Sequence, residues 1–189
     1  MIPRLTCWFE SLCAHLPWLA AIYKLYYKKL LDREIELGSI KSRHRVLCIG
    51  AGPLPVTAME IARHCGARVT AIDICPRAVR HARKTVNKHG LSAQVDIRYG
   101  DGREVCPRGY DVVHIAKQVC PQQCVLDNIL PNSSPYTRII VRTPHPCLEA
   151  LYGKHALSGG TLLLKGEKHE KAGFVSNRCC PDRSVAVVG

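Results

Sequence analysis

The feature that most constrains this chain is the stretch from Arg45 to Asp73. It contains, in order, an apolar run, a Gly-rich turn, a run with helical periodicity and a second apolar run: Val46 to Ile49, Gly50-Ala51-Gly52, Val56 to His64, and Val69 to Ile72. This order predicts a strand, a helix and a second strand, because parallel neighbours need a crossover connection that is usually a helix. The chain is therefore expected to have an α/β fold.

The turn and the acid that ends the second strand predict what such a unit binds. Glycines let the backbone approach a ligand closely, and the start of the following helix directs N–H groups toward it. Asp73 follows the glycines by about twenty residues, the position from which an acid accepts hydrogen bonds from a ribose diol. These residues indicate a cofactor that contains adenosine, although an unliganded strand–helix turn shows the same pattern.

Two prolines narrow the choice of cofactor. Pro53 and Pro55 follow the glycines and carry no backbone N–H, so the turn lacks donors that a pyrophosphate would use. A cofactor without phosphates fits better, and S-adenosylmethionine (SAM) is such a ligand. The residues expected to bind it are Gly50, Ala51, Gly52, Pro53, Asp73, Ile74, Asp101, Gly102 and Ala116.

The alternation of strands and helices continues beyond Asp73. The predicted elements are a helix from Pro76 to Gly90, strands at Val95–Tyr99 and Tyr110–Ala116, a helix at Pro121–Leu130, a strand at Thr137–Arg142, a helix at Pro146–Lys154, and strands at Leu162–Lys165 and Val185–Val188. They predict a three-layer, Rossmann-like sheet of about seven strands whose last strand is antiparallel. Short N-terminal helices over residues 1–40 are expected to pack on this domain, which spans 41–189.

Polar residues at the ends of the third and fourth strands complete the expected site. Asp101 lies in a Gly-flanked turn, where it either bonds an adenine amino group or caps a following helix. His114 lies near the carboxyl end of its strand, where open α/β sheets bind ligands, and is a candidate general base with a purely structural role as the alternative.

The amino-acid composition limits which binding partners and which cellular compartment are expected. The net charge of +12 is compatible with a nucleic-acid partner but does not favour one, because no basic face interleaved with aromatic residues is evident. The eleven cysteines are scattered and without the spacing of a structural zinc site, so we expect free thiols, no metal and a reducing cytoplasm. No stretch is apolar enough to predict a membrane span.

The Gly-rich loop also supports a family resemblance. Val46-Leu-Cys-Ile-Gly-Ala-Gly-Pro-Leu-Pro resembles the SAM-binding loop of the nicotianamine synthase family, a branch of the class I SAM-dependent methyltransferase fold. Gly100-Asp101, the run Arg138 to Thr143 and the run Glu149 to Tyr152 resemble further parts of that family. The resemblance implies SAM binding, and it implies transfer of the aminocarboxypropyl arm of SAM to an amine. Tyr27 lies where the family's active-site tyrosine region would join the sheet, so the resemblance makes it a second catalytic candidate, with ordinary packing on the sheet edge as the alternative.

Three functions follow from these observations. The sequence favours a SAM-dependent methyltransferase that acts on a small-molecule acceptor. The first alternative is the aminocarboxypropyl transfer implied by the resemblance, with a metal-chelating product, and the second is a non-catalytic module that binds SAM or nucleic acid. The motif expected of enzymes that methylate exocyclic base amines is absent, since the residues after the fourth strand read Ala116-Lys-Gln-Val.

Overall fold

The computed structural model describes residues 28–142, 161–165 and 185–188, and side chains only in the first of these ranges. Tyr27, the helices expected before it and the helix predicted at Pro146–Lys154 lie outside the described residues. The division of the chain at residue 40 stays a prediction.

Helices and strands alternate through the described part of the chain. Residues 28–37 are helical and are labelled α1. The following elements are β1 (Arg45–Ile49), α2 (Val56–Cys65), β2 (Arg68–Asp73), α3 (Pro76–Lys88), β3 (Val95–Tyr99), β4 (Val112–Ile115), α4 (Gln122–Asn132), β5 (Arg138–Arg142), β6 (Thr161–Lys165) and β7 (Val185–Val188). The helix predicted after Asp73 starts at Pro76 as expected and ends two residues before Gly90.

Five strands form a parallel sheet in the order β3-β2-β1-β4-β5, which confirms the predicted α/β fold. Beyond β5, the backbones of β6 and β7 pair antiparallel, β6 with β5 and β7 with β6. The chain that connects these last strands lies outside the described residues. The prediction of about seven strands with an antiparallel final strand therefore stays a prediction.

The core lies on both faces of the sheet. Val46 and Cys48 of β1 pack on the face covered by α1, α2 and α3, whereas Leu47 and Ile49 pack on the face covered by α4. Strands that are covered on both faces are apolar throughout, which explains why β1 and β4 lack a polar alternation. Burial raises the pKa of the Cys48 thiol to about 12, so this cysteine behaves as a small apolar side chain.

Helix α3 is amphipathic, as its sequence predicts. Its buried face consists of Ala78, Val79, Ala82 and Val86. Its exposed face carries Arg77, Arg80, Arg83, Lys84 and Lys88. None of the helices in the described ranges is long and apolar enough to span a membrane.

Strand β4 is shorter than predicted. Tyr110 and Asp111 precede it, and the Asp111 carboxylate accepts a hydrogen bond from the backbone N–H of Arg45 at 2.7 Å. The backbone N–H of Asp111 donates to the Arg45 carbonyl at 2.9 Å. These bonds join the amino ends of β1 and β4, so the carboxyl ends of both strands meet at the opposite edge of the sheet.

Candidate functional site

The Gly-rich turn after β1 lies at the carboxyl edge of the sheet, between β2 and β4. Gly50 and Gly52 have φ values of 85° and 64°, a region that residues with a Cβ rarely adopt. The backbone N–H groups of Gly50 and Ala51 both donate to the Ile72 carbonyl, at 2.9 and 3.0 Å. The turn therefore bends over the end of β2, and these two N–H groups stabilise its shape.

Asp73 connects this turn to the next helix. One carboxylate oxygen accepts a hydrogen bond from the Gly52 N–H at 2.7 Å, and the other accepts one from the Cys75 N–H at 2.8 Å. A carboxylate accepts about four hydrogen bonds, so both oxygens keep lone pairs for a ligand. The carboxylate faces the Gly turn, and it has an additional structural role that its sequence position did not predict.

Exposed apolar side chains lie next to Asp73. Ile74 follows it and is 55% exposed, and Tyr99, which ends β3 opposite Asp73 in the sheet register, is 63% exposed. Leu54 in the turn after β1 is also exposed, whereas Pro53 is half-buried. An apolar surface beside a carboxylate matches a ligand with a flat ring and a sugar diol.

Asp101 and Gly102 form the turn after β3. Both Asp101 oxygens bond the Arg103 side chain, and one also accepts the Arg103 backbone N–H at 2.9 Å. These bonds from Arg103 lower the pKa of the Asp101 carboxyl. A Cβ on Gly102 would lie 2.6 Å from Ile49 and 3.1 Å from Val125, so this glycine is required by packing. Residues 102–104 form a turn and no helix lies between β3 and β4, so the alternative that Asp101 caps a helix is wrong, and its carboxylate instead accepts hydrogen bonds within this turn.

The turn after β4, residues 116–119, packs against the Gly-rich turn. Ala116 donates its N–H to the Ile49 carbonyl at 3.0 Å, and the Val119 N–H closes the turn on the Ala116 carbonyl. A Cβ on Gly50 would lie 2.6 Å from a Val119 methyl group, and one on Gly52 would lie 3.9 Å from the Gln118 amide nitrogen. Gln118 and Val119 therefore border the site, although nothing in the sequence pattern identified them.

Gln122 connects the ends of two neighbouring strands. Its buried side-chain amide donates to the Ala116 carbonyl at 3.2 Å and to the Arg142 carbonyl at 2.8 Å. Because Ala116 follows β4 and Arg142 ends β5, this one side chain fixes the carboxyl ends of both strands at the edge where the Gly-rich turn lies.

A buried charged cluster lies below this edge, formed by Glu34 of α1, His114 of β4 and Arg142 of β5. Arg142 donates from Nε to one Glu34 oxygen at 2.5 Å and from Nη2 to the other at 2.6 Å, and His114 Nε2 lies 3.2 Å from the second oxygen. Glu34 and His114 are each 1% exposed, and Arg142 is 6% exposed. Burial alone would raise the pKa of the Glu34 carboxyl, but the charges and hydrogen bonds of His114 and Arg142 outweigh burial and lower it to about 2.

The position of His114 corrects the expectation that it is an accessible general base. A base must come within hydrogen-bond reach of the proton it removes, directly or through one water. His114 is fully buried, and its side chain points to the face covered by α1, where Nε2 contacts Glu34. The burial of His114 and its contact with Glu34 therefore agree with the alternative that this histidine has a purely structural role.

Comparisons with known proteins agree with this arrangement. A family described as a methyltransferase domain matches residues 46–130. The L-histidine 2-aminobutanoyltransferase of Yersinia pestis is 29% identical over 120 residues, which are 64% of this chain and 45% of that protein. A second protein of that name, from Pseudomonas aeruginosa, is 36% identical over 62 residues, which are 33% of this chain and 24% of that protein. The chain thus spans less than half the length of these curated relatives.

Two solved structures have similar backbones. A mutant of MtNAS in complex with S-adenosylmethionine has a TM-score of 0.62 and 32% identity, over 67% of this chain and 49% of that chain. An RNA methyltransferase from Salinibacter ruber in complex with S-adenosyl-L-homocysteine has a TM-score of 0.52 and 27% identity, over 60% of this chain and 74% of that chain.

Proposed function

We propose that this chain belongs to the class I SAM-dependent methyltransferase superfamily and transfers the aminocarboxypropyl arm of SAM to the amine of a small-molecule acceptor. The sequence alone favoured methyl transfer and kept this reaction as the alternative. The two relatives named aminobutanoyltransferases support the reverse order, because that name describes transfer of a four-carbon arm and not of a methyl group.

The Gly-rich turn is the observation that carries the proposal. Gly50 and Gly52 adopt backbone conformations that a Cβ would strain, and together they form a cradle beside Asp73. Two N–H groups of the turn are already bonded to Ile72, and Pro53 has none, so the turn suits a cofactor without phosphates. In this proposal Asp73 accepts hydrogen bonds from the ribose, and the exposed Ile74 side chain covers the adenine ring.

The remaining cofactor-binding roles are proposed on the same basis. The backbones of Ala51 and Pro53 border the cradle, and Ala116 borders it from the turn after β4. Asp101 and Gly102 follow β3 at the same edge of the sheet. Because Gly102 is packed against Ile49 and Val125, its contribution is to shape the turn and so to orient Asp101.

Positioning decides which group is transferred. When bound, SAM supplies carbons activated by its positively charged sulfur. An amine that attacks the sulfur-bonded carbon of the aminocarboxypropyl arm releases methylthioadenosine, and one that attacks the methyl carbon releases S-adenosylhomocysteine. The chain's own task is to hold the acceptor amine in line with one of these carbons and to accept its proton. Tyr27 remains the proposed catalytic side chain on the family resemblance alone.

We expect the native chain, incubated with SAM and L-histidine, to release methylthioadenosine and to form a product in which one hydrogen of histidine is replaced by the aminocarboxypropyl group. L-Histidine is the first acceptor to test because the curated relatives are named for it. The nucleoside and the product are identified together by mass spectrometry. Release of S-adenosylhomocysteine with a methylated product would instead establish methyl transfer, and a reaction without an acceptor serves as the control for spontaneous decay of SAM.

Replacement of Asp73 by asparagine is expected to weaken SAM binding by about tenfold or more, since hydrogen bonds to a charged group contribute about 1.5–3 kcal/mol. Isothermal titration calorimetry measures the affinity directly. Asp96→Asn is the matched control, because Asp96 is an exposed acid on β3 whose bond is to the nearby Arg98 side chain. Equal affinities of the native chain and Asp73→Asn would contradict the ribose-binding role.

Two broader features belong to the same proposal. We propose that β6 and β7 complete the sheet to about seven strands in the manner of a class I methyltransferase, supported by their antiparallel pairing beyond β5. A reducing cytoplasm is the proposed compartment, supported by free cysteines among the described residues at positions 48, 65, 75, 106, 120 and 124.

A further inference from the structure

The amino edge of the sheet, opposite the Gly-rich turn, carries cationic side chains from three segments that are far apart in the sequence. These segments are the run that leads into β1, the start of β2 and the start of β5. We call the side chains together the amino-edge cluster: Lys41, Arg43, Arg45, Arg68 and Arg138. The cluster extends across three strand spacings, from β2 to β5, which is roughly 14 Å.

The sheet and the loop before β1 bring the cluster together. Arg45 and Arg68 are directly paired in the sheet register, and both are exposed. Arg138 donates from Nη1 to the Ser39 carbonyl at 3.0 Å, and its Nη2 lies 3.2 Å from Nδ1 of His44. The backbone N–H of Arg68 donates to the His44 carbonyl at 3.2 Å. The cluster is therefore formed by the tertiary structure and is not a run of basic residues in the sequence.

The charges of the cluster act on one another. Burial, and after it the positive charge of Arg138, lowers the pKa of His44, and Arg43 and Lys41 lower it further, whereas Asp111 opposes them. Burial and the charge of Arg43 also lower the pKa of the Arg138 guanidinium, although Asp111 again opposes them. This edge of the sheet therefore repels further positive charge and attracts anions.

Two tyrosines border the cluster. Tyr136 lies two residues before Arg138, and it is 87% exposed. Tyr110 lies beneath Arg45, whose guanidinium carbon is 5.4 Å from the centre of the ring. The hydroxyl of Thr137 donates to the Tyr110 carbonyl at 2.8 Å, so the two tyrosine segments are joined. An exposed aromatic ring beside several cations is a platform on which an unpaired base stacks.

From this combination we infer that the amino-edge cluster binds single-stranded nucleic acid. The arginines pair with backbone phosphates, and an unpaired base stacks on Tyr136. A membrane surface fits this edge less well, because the other large apolar side chains that are exposed in the described residues, Leu54, Ile74 and Tyr99, lie at the opposite edge. The nucleic acid is a partner in addition to the small-molecule acceptor, so the inference does not depend on the transfer proposed above.

The test measures binding by fluorescence anisotropy at several salt concentrations. The probes are labelled oligouridylate and oligothymidylate single strands of about twelve nucleotides, with a DNA duplex of the same length for comparison. Arg43→Gln with Arg68→Gln removes two exposed charges of the cluster, and Lys84→Gln with Lys88→Gln removes two from α3 as the matched control. Tyr136→Leu removes the exposed ring, and Tyr136→Trp keeps an aromatic ring. Vesicles that contain phosphatidylserine provide the alternative anionic surface.

We expect the native chain to bind at least one of the single strands about fivefold or more tighter than the duplex. The cluster variant should weaken this binding by about tenfold or more and flatten the slope of log affinity against log salt by about 1.4, since each phosphate contact contributes about 0.7. The α3 control should stay within about twofold of the native chain. Tyr136→Leu should weaken binding by about fivefold or more, whereas Tyr136→Trp should preserve it. All variants should bind SAM like the native chain.

Each other outcome overturns the inference. If the α3 control weakens binding as much as the cluster variant does, the net charge of the chain attracts the nucleic acid and the cluster has no special role. If Tyr136→Leu binds like the native chain, or the duplex binds as tightly as the single strands, no base stacks at this edge. If vesicles bind the native chain and the single strands do not, the surface is a membrane contact. If the cluster variant loses SAM affinity as well, the two arginines support the fold and are not ligands of a phosphate.

Discussion

Replacement of Glu34 by glutamine is expected to lower the free energy of unfolding by about 3–5 kcal/mol, the cost of leaving a buried ionic partner without its counter-charge. The glutamine side chain has nearly the same shape, so the loss comes from charge and hydrogen bonding. Arg142 would keep a buried positive charge with one good acceptor in place of two, and His114 would lose its carboxylate partner. Urea unfolding followed by circular dichroism measures the change.

The same helix provides the control for this variant. Glu36 lies two residues further along α1 and is exposed, so Glu36→Gln should change stability by no more than about 0.5 kcal/mol. A Glu34→Gln variant within about 1 kcal/mol of the native chain would show that the buried cluster adds little net stability.

The pH dependence of stability provides a second readout of Glu34. Its folded-state pKa of about 2 is depressed below the ordinary value of 4.5. A depressed acid stabilises the fold fully above its unfolded pKa, and this contribution is lost as the pH falls through the folded pKa. The native chain should therefore lose about 3 kcal/mol between pH 4.5 and 2 through this residue, a loss that Glu34→Gln should lack.

Replacement of Gly50 by alanine is expected to be the most damaging change in the cofactor site. The left-handed backbone conformation costs about 1–2 kcal/mol for a residue with a Cβ, and the close approach to Val119 adds about 1–3 kcal/mol of overpacking. Because the turn must move to relieve this contact, we expect SAM affinity to fall by about tenfold or more. Calorimetric titration of SAM and urea unfolding measure the two effects.

Two further variants distinguish the cost of a positive φ from the cost of the contact with Val119. Gly90 also has a positive φ, of 67°, but a Cβ there meets nothing within 4 Å, so Gly90→Ala should cost only about 1–2 kcal/mol and leave SAM binding unchanged. Val119→Ala removes the methyl group that the new Cβ would meet. When it is combined with Gly50→Ala, it should restore part of the stability and SAM affinity that Gly50→Ala loses. If the changes in the free energy of unfolding caused by Gly50→Ala and Val119→Ala simply added in the double variant, the steric explanation would be wrong.

Local sequence patterns were sufficient for the central part of the fold. The apolar runs of β1 and β2, the glycines between them and the helical periodicity of α2 predicted the strand–helix–strand unit, and the structure confirms it. The family resemblance rested chiefly on the Gly-rich loop of this unit and is confirmed by the matches to a methyltransferase domain and to MtNAS. These features are readable because hydrophobic periodicity and turn chemistry act over a few neighbouring residues.

Contacts between residues that are distant in the sequence could not be predicted from its local patterns. His114 has the position of a candidate base in its strand, yet its partner Glu34 is 80 residues away in the sequence, and Arg142 joins the same cluster from the neighbouring strand. The second role of Asp73, as the acceptor for the Gly52 and Cys75 N–H groups, also depends on how the turns meet.

The amino-acid sequence by itself determined the order of strands and helices, the Gly-Pro turn after β1 and the acid that ends β2, because each depends on local backbone preference and periodicity. Only the tertiary structure decided which side chains share a site: it buried His114 with Glu34 and Arg142, and it brought the turn after β4 against Gly50. The physical reason is that side-chain environment is set by packing and by charge pairing across the sheet. Residues 80 and 108 positions apart take part in that pairing, and no local pattern records it.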